Sequence, residues 1–489
     1  MQFNMIRAKH SHRHPVFAAR AARVPGCVAL ALGALLWGTT GTTVLGQTNF
    51  QRILSFGPEQ WQGSSPRGQL LEASDGMLYG TTYQGGSNNL GTVFRVAKNG
   101  SAFGVLHAFG YSVFPFSGLV EGSDGALYGT TSGGGAHNGG TVFKLNKDGF
   151  GFTTLKDFSP EAGEGSVPIG MLLKATDGKF YGTTTGGGSN NFGTIFRLNS
   201  DGGAFETVYH FRGTNGSYPV AGVIQGEDGL LYGVARNGGA SDLGTIFRIR
   251  PDGSNYTVLR EFLGHGQNDG SLPLGNLVQA SDHFLYGTTY SGGYLNDSGT
   301  VFRVSTNGAG YSVLRMFGVG GSAEGTVPTA GLVEGAPGRL YGTATHGGTN
   351  DGGVAFTMKL DGTGFAVLHS FSGTGGDGSQ PFGALLKASD GALYGSTYFG
   401  GDSSTNGVSG ILFRLSTDST PVRITSITTS PAAALLTFEG GIAGRPYDVQ
   451  ATAGLGSTGW QTIGTVAAGI DGRFQYTDLG VSSHVVRFY

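Results

Sequence analysis

Acidic side chains are the residues of this chain whose type is suited to catalysis. Glycoside hydrolases use a pair of Asp or Glu residues, and the separation of the two carboxyl groups sets the mechanism. The acids of the predicted loops are Glu59, Glu161, Glu164, Asp269, Glu324 and Asp377. They are scattered along the sequence, and no spacing selects a pair. We therefore predict no catalytic residue, with a polysaccharide-active hydrolase or lyase as the alternative function.

Other motifs that carry chemistry are missing from the sequence. The histidines after residue 46 show neither the His-x-His nor the His-Glu-x-x-His spacing that zinc sites use. There is no Gly-x-Ser-x-Gly nucleophile elbow and no Asp-x-Asp-x-Asp-Gly calcium loop. Three histidines, His107, His210 and His369, are predicted to share one position of a repeated strand. We predict no cofactor and no metal ion, and we expect binding rather than enzymatic activity.

The composition indicates which elements must position these residues. The chain has 489 residues, of which 93 are glycine, 11% are aromatic and 13% are charged. Few charges with many glycines and aromatic residues favour sheets with tight turns over helices. The formal net charge is −2, which argues against nucleic acid as a partner.

Residues 1–46 have the order of a secretory signal peptide. A basic segment is followed by an apolar stretch, Cys27 to Trp37, and by small residues up to a predicted cleavage site after Gly46. The alternative is an uncleaved membrane anchor. The apolar stretch is too short to cross a bilayer by itself, so this anchor would have to include the Thr-rich residues up to Leu45. Cleavage removes Cys27, the only cysteine. We expect an extracellular or cell-surface protein, with the periplasm also open, and no stable membrane insertion after leader removal.

Internal repetition is the strongest signal in the sequence. A Leu/Phe-Tyr-Gly motif occurs seven times, with its tyrosine at Tyr79, Tyr128, Tyr181, Tyr232, Tyr286, Tyr341 and Tyr394. Each copy contains four short segments rich in β-branched and aromatic residues, which predicts four strands. Asp-Gly or Asn-Gly pairs recur between the first and second and between the third and fourth segments, where tight hairpins need positive φ angles. Each unit is therefore predicted to be an up-and-down meander.

The ends of the repeat array predict a closed ring. A fourth-strand pattern stands alone at Phe50 to Phe56, and none follows the last third strand, Ile411 to Leu415. In a ring, the N-terminal strand completes the last sheet and removes its free edge. The predicted fold class is all-β, a seven-bladed β-propeller over residues 47–420, with a β-solenoid as the alternative.

Residues repeated in every unit are predicted to be structural. The tyrosine of each Tyr-Gly pair is expected to fill the space between neighbouring sheets, and the glycine allows a close backbone approach. A basic residue of the third strand recurs in six units, at Arg95, Lys144, Arg197, Arg248, Arg303 and Arg414. We predict that these stems cover apolar surface while the charged groups reach solvent or neighbouring carbonyls, with an anion-binding ring as the alternative.

Two connections of each unit are longer than the hairpin turns: the one from the second to the third strand and the one from the fourth strand to the first strand of the next unit. Both are predicted to lie on the same side of the propeller, which we call the long-loop face. The candidate ligand-binding residues are Trp61, Asn88, Asn89, Asn190, Asn191, Tyr218, Tyr294, Asn296 and Asp297. Amides and carboxylates bind hydroxyl groups, and aromatic rings stack on sugars, so this set predicts a glycan ligand. The alternative is that Asn and Asp are present only because the turns require them.

After Pro421 the repeat ends, and residues 421–489 are predicted to form a small β-sandwich. Its predicted strands are Arg423–Thr429, Ala433–Phe438, Tyr447–Ala453, Trp460–Val466, Phe474–Thr477 and Val485–Tyr489.

The unit Leu-Tyr-Gly-Thr-Thr, then Gly-Gly, then Gly-Thr-Val-Phe-Arg resembles the GloVer tandem repeat of exported bacterial proteins over nearly all of residues 50–418. The glycine pair is also similar to that of kelch propellers, although the later Tyr and Trp of kelch are missing. The tail resembles a fibronectin-type module, whereas GloVer proteins carry a variable anchoring or sorting module. The resemblance implies export and brings no catalytic residue with it.

These observations predict a secreted or cell-surface, non-catalytic binding or scaffold protein. Its ligand is predicted to be a glycan or an extracellular protein, held on the long-loop face. A purely structural envelope protein is a further hypothesis.

Overall fold

The structure is a computed structural model that describes residues 49–57, 62–110, 113–293, 297–402, 409–416, 423–430, 433–439, 446–452, 461–467, 474–478 and 485–488. The predicted signal peptide lies outside these residues, as do Trp61, Tyr294 and Asn296 of the predicted ligand-binding set. Helical turns of three residues are found at Pro160–Ala162, His265–Gln267 and Ser322–Glu324. Within the described ranges, no helix is long and apolar enough to cross a membrane.

Seven antiparallel sheets form the blades of a β-propeller, which confirms the predicted fold class. Six of the sheets have four strands, and the sheet of blade 1 has a fifth, Ser64–Pro66, which pairs with the second strand. The first strands are Leu71–Glu72, Val120–Glu121, Leu173–Lys174, Ile224–Gln225, Val278–Gln279, Val333–Glu334 and Leu386–Lys387. The second strands are Leu78–Gln84, Leu127–Thr131, Phe180–Thr184, Leu231–Ala235, Leu285–Thr289, Arg339–Ala344 and Leu393–Thr397. The third strands are Thr92–Val96, Thr141–Leu145, Thr194–Leu198, Thr245–Ile249, Thr300–Val304, Val354–Lys359 and Ile411–Ser416. The fourth strands of blades 1 to 6 are Gly104–Ala108, Thr153–Asp157, Glu206–His210, Thr257–Glu261, Ser312–Met316 and Ala366–Ser370.

The N-terminal strand closes the ring, as the ends of the repeat array predict. Asn49–Ser55 pairs antiparallel with Ile411–Ser416 and supplies the fourth strand of blade 7. Ile53 of this strand and Phe56 directly after it join the core between blades 7 and 1. The edge that the last third strand would otherwise expose is thereby covered.

The core lies between neighbouring blades. Tyr79 of blade 1 is buried in one cluster with Leu127 and Phe143 of blade 2, and the equivalent tyrosines are buried in the same way. A Cβ on Gly80 would lie 2.5 Å from the Phe94 ring, so the residue after each repeated tyrosine must be small. The prediction that Tyr-Gly pairs pack the core is confirmed. Each such side chain contributes roughly 1.5–3 kcal/mol on burial.

The segments that enter the first strands meet around the axis of the propeller. One position of these segments forms an inner ring, consisting of Gln69, Gly118, Met171, Gly222, Asn276, Gly331 and Ala384. A Cβ on Gly222 would lie 2.2 Å from the Met171 carbonyl, and a Cβ on Gly118 would lie 2.5 Å from the Gln69 carbonyl. Larger residues and glycines alternate around most of this ring because neighbouring backbones approach so closely.

The aspartate of the first hairpin turn has a second role besides the turn. In blade 2 the Tyr128 hydroxyl donates a hydrogen bond to Asp124 (2.7 Å). The same bond joins Tyr79 to Asp75, Tyr181 to Asp177, Tyr232 to Asp228, Tyr286 to Asp282 and Tyr394 to Asp390. Burial and the neighbouring carboxylate raise the pKa of Tyr232 to about 12. Blade 6 has Pro337 in place of this aspartate.

The basic residues of the third strands act partly as predicted. Arg197 donates to the Pro251 carbonyl (2.9 Å) and Arg248 to the Thr306 carbonyl (3.2 Å), each in the next blade. Lys144 instead pairs with Asp124 of its own blade (2.7 Å). These contacts connect adjacent blades along their outer halves.

The C-terminal strands follow the predicted bounds within two residues. They are Arg423–Ser430, Ala433–Glu439, Pro446–Thr452, Gln461–Ala467, Phe474–Asp478 and Val485–Phe488. They form two three-stranded antiparallel sheets, one with the first, second and fifth of these strands and one with the other three. The packing of these sheets into a fibronectin-type sandwich, and the domain boundaries at 46 and 420, stay predictions.

Candidate functional site

The two long connections of a blade are hydrogen-bonded to each other on the long-loop face. In blade 3, Gly165–Ser166 of the incoming connection pairs with Gly186–Gly187 after the second strand. Corresponding pairings occur between Gly270–Ser271 and Ser291–Gly292, between Gly378–Ser379 and Phe399–Gly400, and as single bridges from Ser217 to Asn237 and from Thr326 to His346. The loops are therefore held as a continuous extension of the blades.

The turn residues among the predicted ligand-binding set serve their own loops. Asn89, Asn191 and Asp297 have φ angles of 58°, 58° and 50°, which Asn and Asp tolerate better than other side chains. The side-chain oxygen of each accepts a hydrogen bond from a glycine amide at the start of the same loop (2.5–2.9 Å). The turn-based alternative thus accounts for their residue types.

The other described members of that set are placed differently. Asn88 and Asn190 each donate to the carbonyl of a phenylalanine that follows the fourth strand (3.2 and 3.5 Å). These asparagines therefore lie over the outer half of blades 1 and 3. Tyr218 is 41% exposed and precedes the proline that leads into blade 4. Its ring contacts that of Phe192 in blade 3 edge to face, with ring centres 6.2 Å apart. In the part of the chain that the structure describes, no hydrogen bond or ring contact joins Asn88, Asn190 and Tyr218 to one another, and ligand binding by them stays a prediction.

Four of the loop acids contact a Lys, Arg or His side chain of a fourth strand. Lys156 pairs with Glu164 (2.7 Å), Arg260 with Asp269 (2.6 Å), His369 with Asp377 (3.2 Å) and Arg315 with Glu324. Glu161 is exposed, and Glu59 lies outside the described residues. These ion pairs join an acid to a base, so they do not create the pair of carboxyl groups that glycoside hydrolysis requires.

The histidines do not share a single position. His107 and His369 lie opposite Val93 and Ala355 at equivalent positions of their strands. His210 lies one residue later, opposite Thr194, so its side chain points to the other side of the sheet. The prediction was wrong for His210 because it directly precedes the repeated phenylalanine, whereas the other two precede it by two residues. Over the described ranges, no group of three His, Cys, Asp or Glu residues could hold a metal ion.

A proline leads into the first strand of every blade and shapes the opening of the central channel. These prolines are Pro66, Pro115, Pro168, Pro219, Pro273, Pro328 and Pro381. In six blades the preceding residue has a positive φ of 52–60°, including the β-branched Val167 and Val327. This backbone conformation costs about 1–3 kcal/mol where the side chain is not glycine, so the packed loops must hold it in place.

We define the channel mouth by two sets of residues on the long-loop face. One follows the prolines and consists of Arg67, Phe116, Ile169, Val220, Leu274, Thr329 and Phe382. The other lies at or directly after the ends of the second strands and consists of Tyr83, Ser132, Thr185, Arg236, Tyr290, Thr345 and Tyr398. The last six of these each donate a backbone hydrogen bond to the residue that precedes a proline, as Tyr398 N does to the Gln380 carbonyl (3.0 Å).

Blades 7, 1 and 2 build one sector of this mouth from aromatic rings around an arginine. The Arg67 Cζ atom lies 5.5 Å from the ring centre of Tyr83, and at 5.1, 4.8 and 5.4 Å from those of Phe116, Phe382 and Tyr398. Tyr83 and Phe116 also contact each other, with ring centres 4.9 Å apart. All five side chains are partly exposed. We call them the aromatic–arginine cluster.

The charge of the channel mouth differs from that of the whole chain. The fourteen positions hold two arginines, Arg67 and Arg236, and no Asp or Glu, although the chain has 30 basic and 32 acidic residues. Burial lowers the pKa of Arg67, and Tyr398 and Tyr83 offset part of this effect. An arginine remains charged in a protein, so this sector carries a partly desolvated cation.

Sequence reasoning missed most of this cluster because it searched the longest loops. A usable signal was present in the repeats, since Pro recurs in every unit and a small residue (Gly, Ser or Ala) stands two positions later, while the residue between them changes from Arg67 to Phe116, Ile169 or Thr329. A variable position between repeated ones indicates that the fold fixes the backbone there but does not require a particular side chain. Such a side chain is available for function. The contacts across blades 7, 1 and 2 require the closed ring.

The family model of the Gloeobacter/Verrucomicrobia repeat matches residues 29–174, 161–336 and 265–448. The chain belongs to this repeat family. The match covers the seven blades and confirms the resemblance on which the sequence analysis relied.

Several solved structures are similar in fold, all at low identity. An oligogalacturonate lyase in complex with manganese is 10% identical, with 76% of this chain and 98% of that chain covered and a TM-score of 0.47. The oligogalacturonate lyase of Vibrio parahaemolyticus is 9% identical, with 76% and 97% covered and a TM-score of 0.46. A chain of the mitotic checkpoint complex is 11% identical, with 74% and 93% covered and a TM-score of 0.44. No curated protein matches the sequence. None of these likenesses carries an activity over to this chain.

Proposed function

We propose that this protein is a non-catalytic binding protein that takes a glycan at the channel mouth. The observation that carries the proposal is the aromatic–arginine cluster, in which Tyr83, Phe116 and Tyr398 present partly exposed rings on the long-loop face. Aromatic faces stack on the apolar faces of sugar rings, and the phenolic and guanidinium groups donate hydrogen bonds to hydroxyl oxygens.

The rigidity of the mouth supports recognition of a preformed ligand shape. Each proline fixes its own φ, and the preceding residue is held in a conformation that only its surroundings can impose. A site built on such a frame loses little conformational freedom when a ligand binds, which favours affinity.

The loop acids support binding rather than hydrolysis. Glu164 and Asp269 neutralise a cation of a neighbouring strand, Asp377 is hydrogen-bonded to His369, and these contacts hold the connections in place. A general acid needs a carboxyl group that is free to exchange its proton with a substrate. An exported location, extracellular or at the cell surface, belongs to the same proposal, since the predicted leader would bring the protein to external polysaccharides.

A binding screen of the full-length protein against a panel of polysaccharides tests the proposal, with product analysis of the same samples. We expect saturable binding without product. Tyr398→Ala should weaken this binding about three- to tenfold, the range expected for the loss of one aromatic contact.

The matched control is Phe150→Ala, which removes a side chain that is 74% exposed in a turn on the opposite face. It should leave the affinity unchanged. Release of shortened products, or equal affinities for wild type and Tyr398→Ala, would overturn the proposal. The proposal would also be overturned if the protein bound none of the polysaccharides and bound a soluble protein instead.

A further inference from the structure

Arg67 differs from the other cations that lie over aromatic rings in the described part of the chain. Seven cations make such contacts, and five of them also pair with a carboxylate. Those pairs are Lys144–Asp124, Lys156–Glu164, Arg260–Asp269, Arg315–Glu324 and Arg414–Asp390. Arg303 donates to the Ser312 hydroxyl (3.2 Å). Arg67 has four rings around it and, among the described residues, neither a carboxylate nor a hydrogen-bond acceptor for its side chain.

This arrangement leaves the hydrogen-bonding capacity of Arg67 unused. A guanidinium group carries five N–H donors in a rigid plane, and their removal from water costs free energy unless acceptors replace the water. The rings attract the positive charge but accept hydrogen bonds only weakly. An acceptor from a ligand would therefore complete the site.

The geometry selects a carboxylate as that acceptor. The guanidinium fork matches a carboxylate with two parallel hydrogen bonds, and such pairs are stronger than bonds between neutral groups. The charge of the channel mouth also favours an anion, because its fourteen positions include Arg236 as a second cation and neither Asp nor Glu.

We infer that the channel mouth recognises an acidic polysaccharide through the carboxylate of a uronic acid residue, which pairs with Arg67 while its sugar ring stacks on the aromatic–arginine cluster. This inference rests on the proposed glycan-binding function and specifies its ligand class. Neutral polysaccharides would lack the charged partner, and a sulfated one would lack the planar carboxylate.

Polygalacturonate and its fully methyl-esterified form provide a matched pair of probes, because the sugar backbone is the same and each carboxylate is replaced by a neutral methyl ester. Calorimetry with the full-length protein should show about tenfold or greater preference for the acidic form. The preference should fall steeply with salt, since ion pairing near a surface is screened. Arg67→Met should abolish the preference, because both forms then meet the same uncharged side chain.

Arg95→Met is the matched control, since Arg95 is an exposed arginine in the same blade and lies on its third strand. It should behave as wild type. Arg67→Lys keeps the charge without the planar fork and should retain only part of the preference, so the inference is tested even if Arg67→Met fails to fold.

Two results would overturn the inference while the proposed function stands. One is equal binding of acidic and esterified forms by wild type, and the other is an unchanged preference in Arg67→Met. Dextran sulfate that binds as tightly as polygalacturonate would overturn the carboxylate assignment. Failure to bind any polysaccharide would instead overturn the proposed function itself.

Discussion

At the scale of single residues, the aspartate of the first hairpin turn connects turn geometry with core packing. Its carboxylate accepts two hydrogen bonds, one from a backbone amide of the turn and one from the hydroxyl of a buried tyrosine. In blade 2, Asp124 accepts from Ala126 N (3.2 Å) and from the Tyr128 hydroxyl (2.7 Å). Lys144 adds an ion pair to the same carboxylate. Burial alone would raise the pKa of Asp124, but Lys144 and Tyr128 lower it to about 2.

This shift predicts acid sensitivity of blade 2. Because the pKa of Asp124 is lower in the folded state than the ordinary value of about 3.9, its stabilising contribution is complete above about pH 4 and is lost as the pH falls towards 2. Asp124→Asn should therefore lower the free energy of unfolding by about 1 kcal/mol at pH 7, a modest amount because the pair is partly exposed, and by much less near pH 2.5.

Urea unfolding midpoints at the two pH values measure this difference. Asp148→Asn is the control, because Asp148 caps its own hairpin turn through Phe150 N (2.9 Å) and meets no tyrosine hydroxyl. An Asp124→Asn deficit that stays the same at both pH values would contradict the argument.

At the scale of elements, the strand Asn49–Ser55 is the one on which closure depends. It is separated from its partner Ile411–Ser416 by almost the whole repeat array, so its pairing converts a row of blades into a ring. Arg52 extends the contact by donating to the Gly376 carbonyl (2.9 Å) and pairing with Asp402 (2.5 Å). Loss of this strand would expose a strand edge and the core beside it.

A chain that begins at residue 57 should be destabilised by about 4 kcal/mol, chiefly because Ile53 and Phe56 are no longer buried. Thermal unfolding against a chain that begins at residue 47 measures the loss. A synthetic peptide of residues 47–57 should restore the melting temperature of the shorter chain when added in excess. Equal melting temperatures without the peptide would show that closure contributes no stability.

At the scale of the whole molecule, the close approach of seven blades around the axis sets a steric limit that a single blade does not have. The inner ring holds glycine where a neighbouring backbone leaves no room, as at Gly222 beside Met171. Hydrogen bonds also join the two blades that meet where the ring closes. The Glu72 carboxylate of blade 1 accepts hydrogen bonds from the backbone amide and the hydroxyl of Ser389 in blade 7 (both 2.6 Å). The first strands are thus fixed to one another around the ring.

Gly222→Ala should destabilise the propeller by about 2 kcal/mol, because the added methyl group would lie 2.2 Å from the Met171 carbonyl and the blades would have to separate. Gly110→Ala is the control, since a methyl group there would have no atom of the other described residues within 4 Å. Denaturant unfolding of both variants measures the effect. A Gly222→Ala variant as stable as Gly110→Ala would mean that the inner ring is less tightly packed than described.

The fold was predictable from the sequence because its causes are local and repeated. The pattern around Tyr79 and the Asp75-Gly76 turn specifies a hairpin wherever it occurs, and the unpaired fourth-strand pattern at Phe50 predicts closure. The candidate site was less predictable. Arg67 and Tyr398 are 331 residues apart in sequence, and no local pattern indicates that their side chains meet.

The sequence by itself determined the strands, the turns, the number of blades and the strand that closes the ring, since each follows from short-range periodicity and turn chemistry. Only the tertiary structure decided which loop acids are neutralised by Lys156 or Arg260, and which rings surround Arg67. The rings around Arg67 belong to three blades, so their distances are set by the closure of the ring rather than by spacing along the chain. The pairs Lys156–Glu164 and Arg260–Asp269 are eight and nine residues apart, and the folded path of the connecting loop brings their charges together.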